Sequence, residues 1–92
     1  MPSIDRKFKI SATSIGSGNT YTEESAVLFL AKDRAFLPTL RDYLKHCTEL
    51  GAGPEQLEAV KLMIQRVEVF QAQNETKIPD VDPNTESIAL MP

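Results

Sequence analysis

The clearest pattern in this 92-residue chain is a helical spacing of apolar residues over residues 38–50. Because a helix turns by about 100° per residue, the apolar residues of this stretch fall on one side and the charged ones on the other. The apolar side holds Leu40, Tyr43, Leu44, Cys47 and Leu50, and the charged side holds Arg41, Asp42, Lys45 and Glu49. The pattern predicts a bend at residues 35–37 and then a helix over 38–50, since Pro38 suits a first helical position. Gly51 is expected to end this helix in the left-handed conformation.

A second and longer helix is predicted from Pro54 to Gln73. Pro54 again suits the first helical position, and Ala52 and Gly53 make a short connection to the preceding helix. The main apolar face of this longer helix consists of Leu57, Val60, Met63, Ile64, Val67 and Phe70. Two helices joined by so short a connection are expected to pack antiparallel.

The longer helix carries a second apolar pair, Leu62 and Val69, which lies about 140–160° from the centre of the main face. Three interpretations are open. Isolated apolar side chains are common on protein surfaces. Cover by the first helix or the N-terminal strand is the second interpretation, and cover by a second copy of the chain is the third. In that last case Leu62, Arg66 and Val69 would form the contact.

The N-terminal part of the chain predicts a short strand or a hairpin. Residues 6–12 alternate, with Phe8, Ile10 and Ala12 on one side and polar residues on the other, which is typical of a half-buried strand. The glycine-containing segment 16–20 then breaks regular structure. Because the backbone groups of a strand need a pairing partner, a hairpin over residues 6–21 is the fuller interpretation.

Six consecutive apolar residues, 26–31, predict a further helix ahead of the other two. Thr22 can accept a backbone N–H as its N-cap, and Glu23 and Glu24 suit the positive end of the helix dipole. A run that is apolar all round predicts burial on several sides. A buried strand is the competing interpretation, and the alanine and leucine content favours the helix.

Together these elements predict a mainly α fold with a minor β part. It consists of three helices, two of them forming an antiparallel helical hairpin, and a short N-terminal strand or hairpin. We expect one small α-rich domain over residues 1–77. Residues 78–92 combine prolines with acidic residues, so we expect an acidic tail that is flexible or loosely docked.

Composition indicates a globular chain, because 41 % of the residues are apolar and 25 % are charged. Cys47 is the single cysteine, so no internal disulfide can form, and the start of the sequence holds no apolar stretch of signal-peptide length. The longest apolar run is far shorter than the roughly 20 residues of a membrane span. We therefore expect a soluble cytoplasmic protein with no membrane partner.

No group of residues matches a catalytic, metal or cofactor site. His46 and Cys47 are the only histidine and cysteine, but neighbours on a helix point about 100° apart and make a poor nucleophile pair. Cys47 is expected in the core and His46 beside Asp42. The segment 16–20 lacks the patterns of nucleotide-binding loops. Asp80 and its neighbours lack the glycine and closing glutamate of a calcium loop, so we expect no metal, no cofactor and no enzymatic activity.

The charge distribution favours a protein partner over nucleic acid. The net charge is −3, and beyond residue 50 there are three basic residues against seven acidic ones. Phosphate binding needs a basic face, which this half of the chain does not offer. Lys32, Asp33 and Arg34, with Arg41 and Asp42, form the densest charged cluster, which is either solvated surface or a recognition patch.

The leading hypothesis is a small non-enzymatic protein-interaction module whose partner is another protein or a second copy of the chain. Its candidate interaction surface comprises Leu62, Arg66, Val69, Lys32, Asp33 and Arg34. The alternative is a small nucleic-acid-associated regulator that uses the basic N-terminal strand, with Arg6, Lys7 and Lys9. Basic residues on a strand also serve to guard an exposed edge.

Overall fold

The computed structural model describes residues 2–80, which form two compact units, residues 2–28 with residue 80 and residues 29–79. In chain order the elements are β1 (Ser11–Thr13), β2 (Thr20–Thr22), α1 (Phe36–Glu49) and α2 (Pro54–Gln73). A mainly helical fold with a small antiparallel β part is thus confirmed, but the described residues form two helices and not three. Neither helix is long and apolar enough to span a membrane. The single domain over 1–77 stays a prediction, and most of the predicted tail lies outside the described residues.

A short β-hairpin forms the regular part of the first unit. β1 and β2 run antiparallel, with Ala12 opposite Tyr21 at the centre of the pairing. The turn is closed by the Ser14 N–H, which donates to the Asn19 carbonyl at 2.8 Å, and Gly18 adopts a φ of 78°. A positive φ is a conformation that glycine adopts at little cost. The predicted hairpin is therefore confirmed, but its strands are shorter than residues 6–21 would allow.

Residues 6–10 are not a strand, because two carboxylates take their backbone donors. Asp5 Oδ1 accepts the N–H groups of Lys7 and Phe8, each at 2.8 Å, which folds the chain into a tight turn. Glu23 Oε1 accepts the Ile10 N–H at 2.7 Å. The alternation that predicts a strand here is present, but these donors are bound to side chains and are unavailable for a sheet ladder.

The predicted helix over residues 26–31 is wrong, because this segment is irregular. Thr22, the expected N-cap, is the last residue of β2, and the Ser25 N–H bonds to its carbonyl at 3.0 Å in a turn. The Leu28 N–H donates at 2.8 Å to Asp5 Oδ2, which is distant in sequence. This long-range acceptor holds the backbone in place of helical hydrogen bonds and overrides local helix propensity. The segment is not deeply buried either, since Leu28 is 42 % exposed.

Asp5 is the buried charge that organises the first unit. Burial by itself would raise the pKa of its carboxyl group, but the N–H groups of Leu28, Lys7 and Phe8 outweigh that effect. The positive charge of Lys7 acts in the same direction as these hydrogen bonds. The pKa of Asp5 is therefore lowered from its ordinary value, and the carboxylate remains ionised at neutral pH.

In the second unit, α1 begins at Phe36, which is earlier than the predicted start at Pro38. Proline is tolerated in the first turn because the N–H groups of that turn have no partner inside the helix. Asp33 supports the approach to the helix: its Oδ1 accepts the Ala35 N–H at 2.8 Å, and its carbonyl accepts the Phe36 N–H at 3.0 Å. The bend predicted at residues 35–37 therefore lies slightly earlier in the chain.

Gly51 ends α1 in the left-handed conformation, as predicted, with a φ of 80°. Its N–H donates to the Thr48 carbonyl at 3.1 Å, and the Ala52 N–H donates to the Cys47 carbonyl at 2.9 Å. This pair of bonds is the Schellman motif, which satisfies the last carbonyls of a helix. α2 then begins at Pro54, and both predicted ends of this helix are confirmed.

The two helices pack as a hairpin around a small core. Leu40 of α1 lies against Val60, Ile64 and Val67 of α2, and these four side chains are buried. Around them, Phe36, Leu37 and Leu44 are partly buried. Near the start of α1, an Arg41 Nη2 atom lies 3.3 Å from Glu68 Oε2 near the end of α2. This pairing of opposite ends is the one expected for antiparallel helices.

We predict that Gly51→Ala destabilises the helical unit by about 1–2 kcal/mol, because residues with a Cβ disfavour the left-handed region. A Cβ at this position would meet no atom within 4 Å, so the loss would come from the backbone conformation alone. Gly51→Asn is the matched variant and should lose less, since asparagine adopts this conformation more readily. Urea unfolding followed by circular dichroism measures both, and equal losses would contradict the explanation.

We also predict that Asp5→Asn speeds hydrogen exchange at the Leu28 amide about 10- to 100-fold, because an amide NH2 replaces an acceptor and leaves a buried donor unpaired. Asp42→Asn, on the exposed side of α1, is the control and should leave this exchange unchanged. Since the folded pKa of Asp5 is lowered, its stabilising effect is complete above the unfolded pKa of about 3.9 and is lost as the pH falls through the folded pKa. A Leu28 amide that exchanges equally fast in both variants would refute this role.

Candidate functional site

The most distinctive surface of the helical unit is an exposed apolar side of α2 that lies next to its buried side. Its residues are Ala59, Leu62, Met63, Arg66, Val69 and Phe70, which we call the second face of α2. The four large apolar side chains among them are 40 % to 55 % exposed, whereas Val60 in the core is 2 % exposed. At about 100° per residue, the six positions occupy one continuous sector of about 120°.

The rest of the surface of α2 is polar. Glu58, Lys61, Gln65 and Glu68 are all exposed and fall in the remaining sector of the helix. α2 thus has three sides: one buried against α1, one exposed and apolar, and one exposed and polar. An ordinary surface helix has an apolar and a polar side only. The second face is therefore an additional apolar side with no cover from α1.

Met63 and Phe70 are placed in the core by the sequence pattern, but the structure leaves them 46 % and 40 % exposed. The physical reason is that α1 is the one helix of residues 2–80 that packs against α2. A single partner covers a stripe narrower than the predicted six-residue face. The sequence already showed that this face is too wide for one partner helix, because Phe70 and Leu57 at its two edges lie about 140° apart around the helix axis. Leu50, which the sequence pattern places on the apolar side of the first helix, follows the end of α1 and is likewise exposed.

Arg66 is the only charge inside the second face. Within the part of the chain that the structure describes, its guanidinium takes part in no hydrogen bond or ion pair. Glu55 and Glu58, near the start of α2, are likewise exposed and make no ion pair within those residues. Glu55 and Glu58 therefore lie toward the start of α2 and Arg66 toward its end, while Glu68 on the polar side pairs with Arg41.

The predicted cluster Lys32, Asp33 and Arg34 has its backbone engaged in structure. Asp33 forms a parallel bridge with Lys77, in which the Arg34 N–H donates to the Lys77 carbonyl at 3.0 Å and the Lys77 N–H donates to the Lys32 carbonyl at 2.9 Å. Gln71 Nε2 donates to the Asp33 carbonyl at 3.1 Å. This bridge fastens the chain after α2 to the chain before α1, while the side chains of Lys32 and Arg34 remain exposed.

His46 and Cys47 do not form a reactive pair. Cys47 is buried, as predicted for a core residue. His46 is exposed, and its Nδ1 lies 3.4 Å from Glu49 Oε2, so its partner is Glu49 and not the expected Asp42. No set of histidine, cysteine and carboxylate side chains within residues 2–80 is grouped so as to hold a metal ion.

The basic N-terminal residues are partly balanced by acids. Lys7 Nζ donates to the Asp80 carbonyl at 2.8 Å and lies 3.4 Å from its Oδ1. Lys9 acts on Glu23, whose pKa is lowered first by the hydrogen bond from Ile10 and, to a smaller extent, by the positive charge of Lys9. A phosphate approaching these lysines would therefore meet carboxylates as well as cations.

Sequence reasoning missed Asp5, the residue with the most specific set of contacts. A known turn signal is an aspartate whose carboxylate accepts the N–H groups two and three residues later, and Asp5 does so with Lys7 and Phe8. No local pattern could have indicated the third donor, Leu28, because it is distant in sequence.

Comparison with models of known protein families, with curated protein sequences and with solved structures finds no significant match for this chain.

Proposed function

We propose that this protein is a non-enzymatic protein-interaction module that binds its partner through the second face of α2. The observation that carries the proposal is the exposure of Leu62, Met63, Val69 and Phe70 in one continuous sector. Scattered apolar residues on a surface need no explanation, but contiguous apolar patches mark interaction sites. About half of the surface of each of these side chains is still exposed. A partner that covers it would gain about 1 kcal/mol per side chain from apolar burial.

The position of Arg66 within this face fits the same function. Arginine is enriched in the buried part of protein interfaces, because its aliphatic stem covers apolar groups and its planar end binds carboxylates. A lysine-rich or mixed-charge face would favour solvation instead. The preferred form of the interaction is self-association, in which the second face of one chain packs on that of another.

A second candidate, a nucleic-acid-associated regulator that uses Arg6, Lys7 and Lys9, is supported by the basic run at the N-terminus. It is the weaker candidate, because Lys7 pairs with Asp80 and Lys9 lies near the carboxylate of Glu23. The exposed polar side of α2 adds Glu58 and Glu68 in place of the basic residues that base and phosphate contacts need.

We predict that the protein self-associates with rising concentration and that Leu62→Glu weakens this association at least tenfold. The substitution removes an apolar side chain from the contact in both copies and places there a carboxylate whose desolvation the neighbouring Arg66 offsets only in part. Gln65→Glu is the matched control, because it adds the same charge to an exposed position on the polar side of the same helix. Sedimentation equilibrium over a concentration series measures both variants, with circular dichroism to confirm that each is folded.

A monomer at every concentration would remove self-association, and equal effects of the two glutamates would remove the second face as its site. For the second candidate, titration with labelled DNA and RNA at low salt is the deciding measurement, since electrostatic binding is strongest there. We expect no binding. Binding that Arg6→Ala weakens and that salt reverses would favour the nucleic-acid candidate instead.

A further inference from the structure

We draw no further inference here: the strongest candidate, the exposed apolar patch on the second face of α2, belongs to the site already described, and nothing within residues 2–80 shows what covers it.

Discussion

One constraint governs the helical unit: a single helix, α1, packs against α2 and can cover only one of its sides. The core that results is limited to Leu40 with Val60, Ile64 and Val67, and Cys47 of α1 is also buried. Small domains bury a low fraction of their surface, and in this helical unit the apolar surface that stays uncovered lies on α2. The second face is the direct consequence, because α2 has more apolar positions than one partner helix can contact. Because this apolar surface of α2 is uncovered, association with another surface would stabilise the chain.

The first unit obeys a different rule, since side-chain carboxylates replace much of its regular hydrogen bonding. Asp5 accepts three backbone N–H groups, and Glu23 accepts another through its side chain. The Glu23 carbonyl also accepts the N–H groups of Ile4 and Asp5 at 2.8 and 3.1 Å. A segment held in this way keeps an irregular path with its buried donors satisfied. The irregular path of residues 23–28 is thus fixed by specific acceptors rather than by a ladder of strands.

The parts of the fold that depend on local signals could be predicted from the sequence. Both ends of α2 follow from Pro54 and the apolar spacing, and the end of α1 follows from Gly51. The segment over residues 26–31 could not be predicted, because its geometry is set by Asp5, far away in the chain. For the candidate site, Leu62, Arg66 and Val69 stood out through their spacing. Met63 and Phe70 did not, since periodicity gives the side of a helix and not the number of helices available to cover it.

The bridge between Asp33 and Lys77 has a consequence for how the helical unit can be handled as a module. It brings the chain entering α1 and the chain leaving α2 side by side, so the helical hairpin begins and ends at nearly one point. Segments with adjacent termini are the ones that tolerate transplantation into a surface loop of an unrelated host. The hairpin could therefore be grafted as a compact insert, carrying the second face of α2 outward without stretching the loop that receives it.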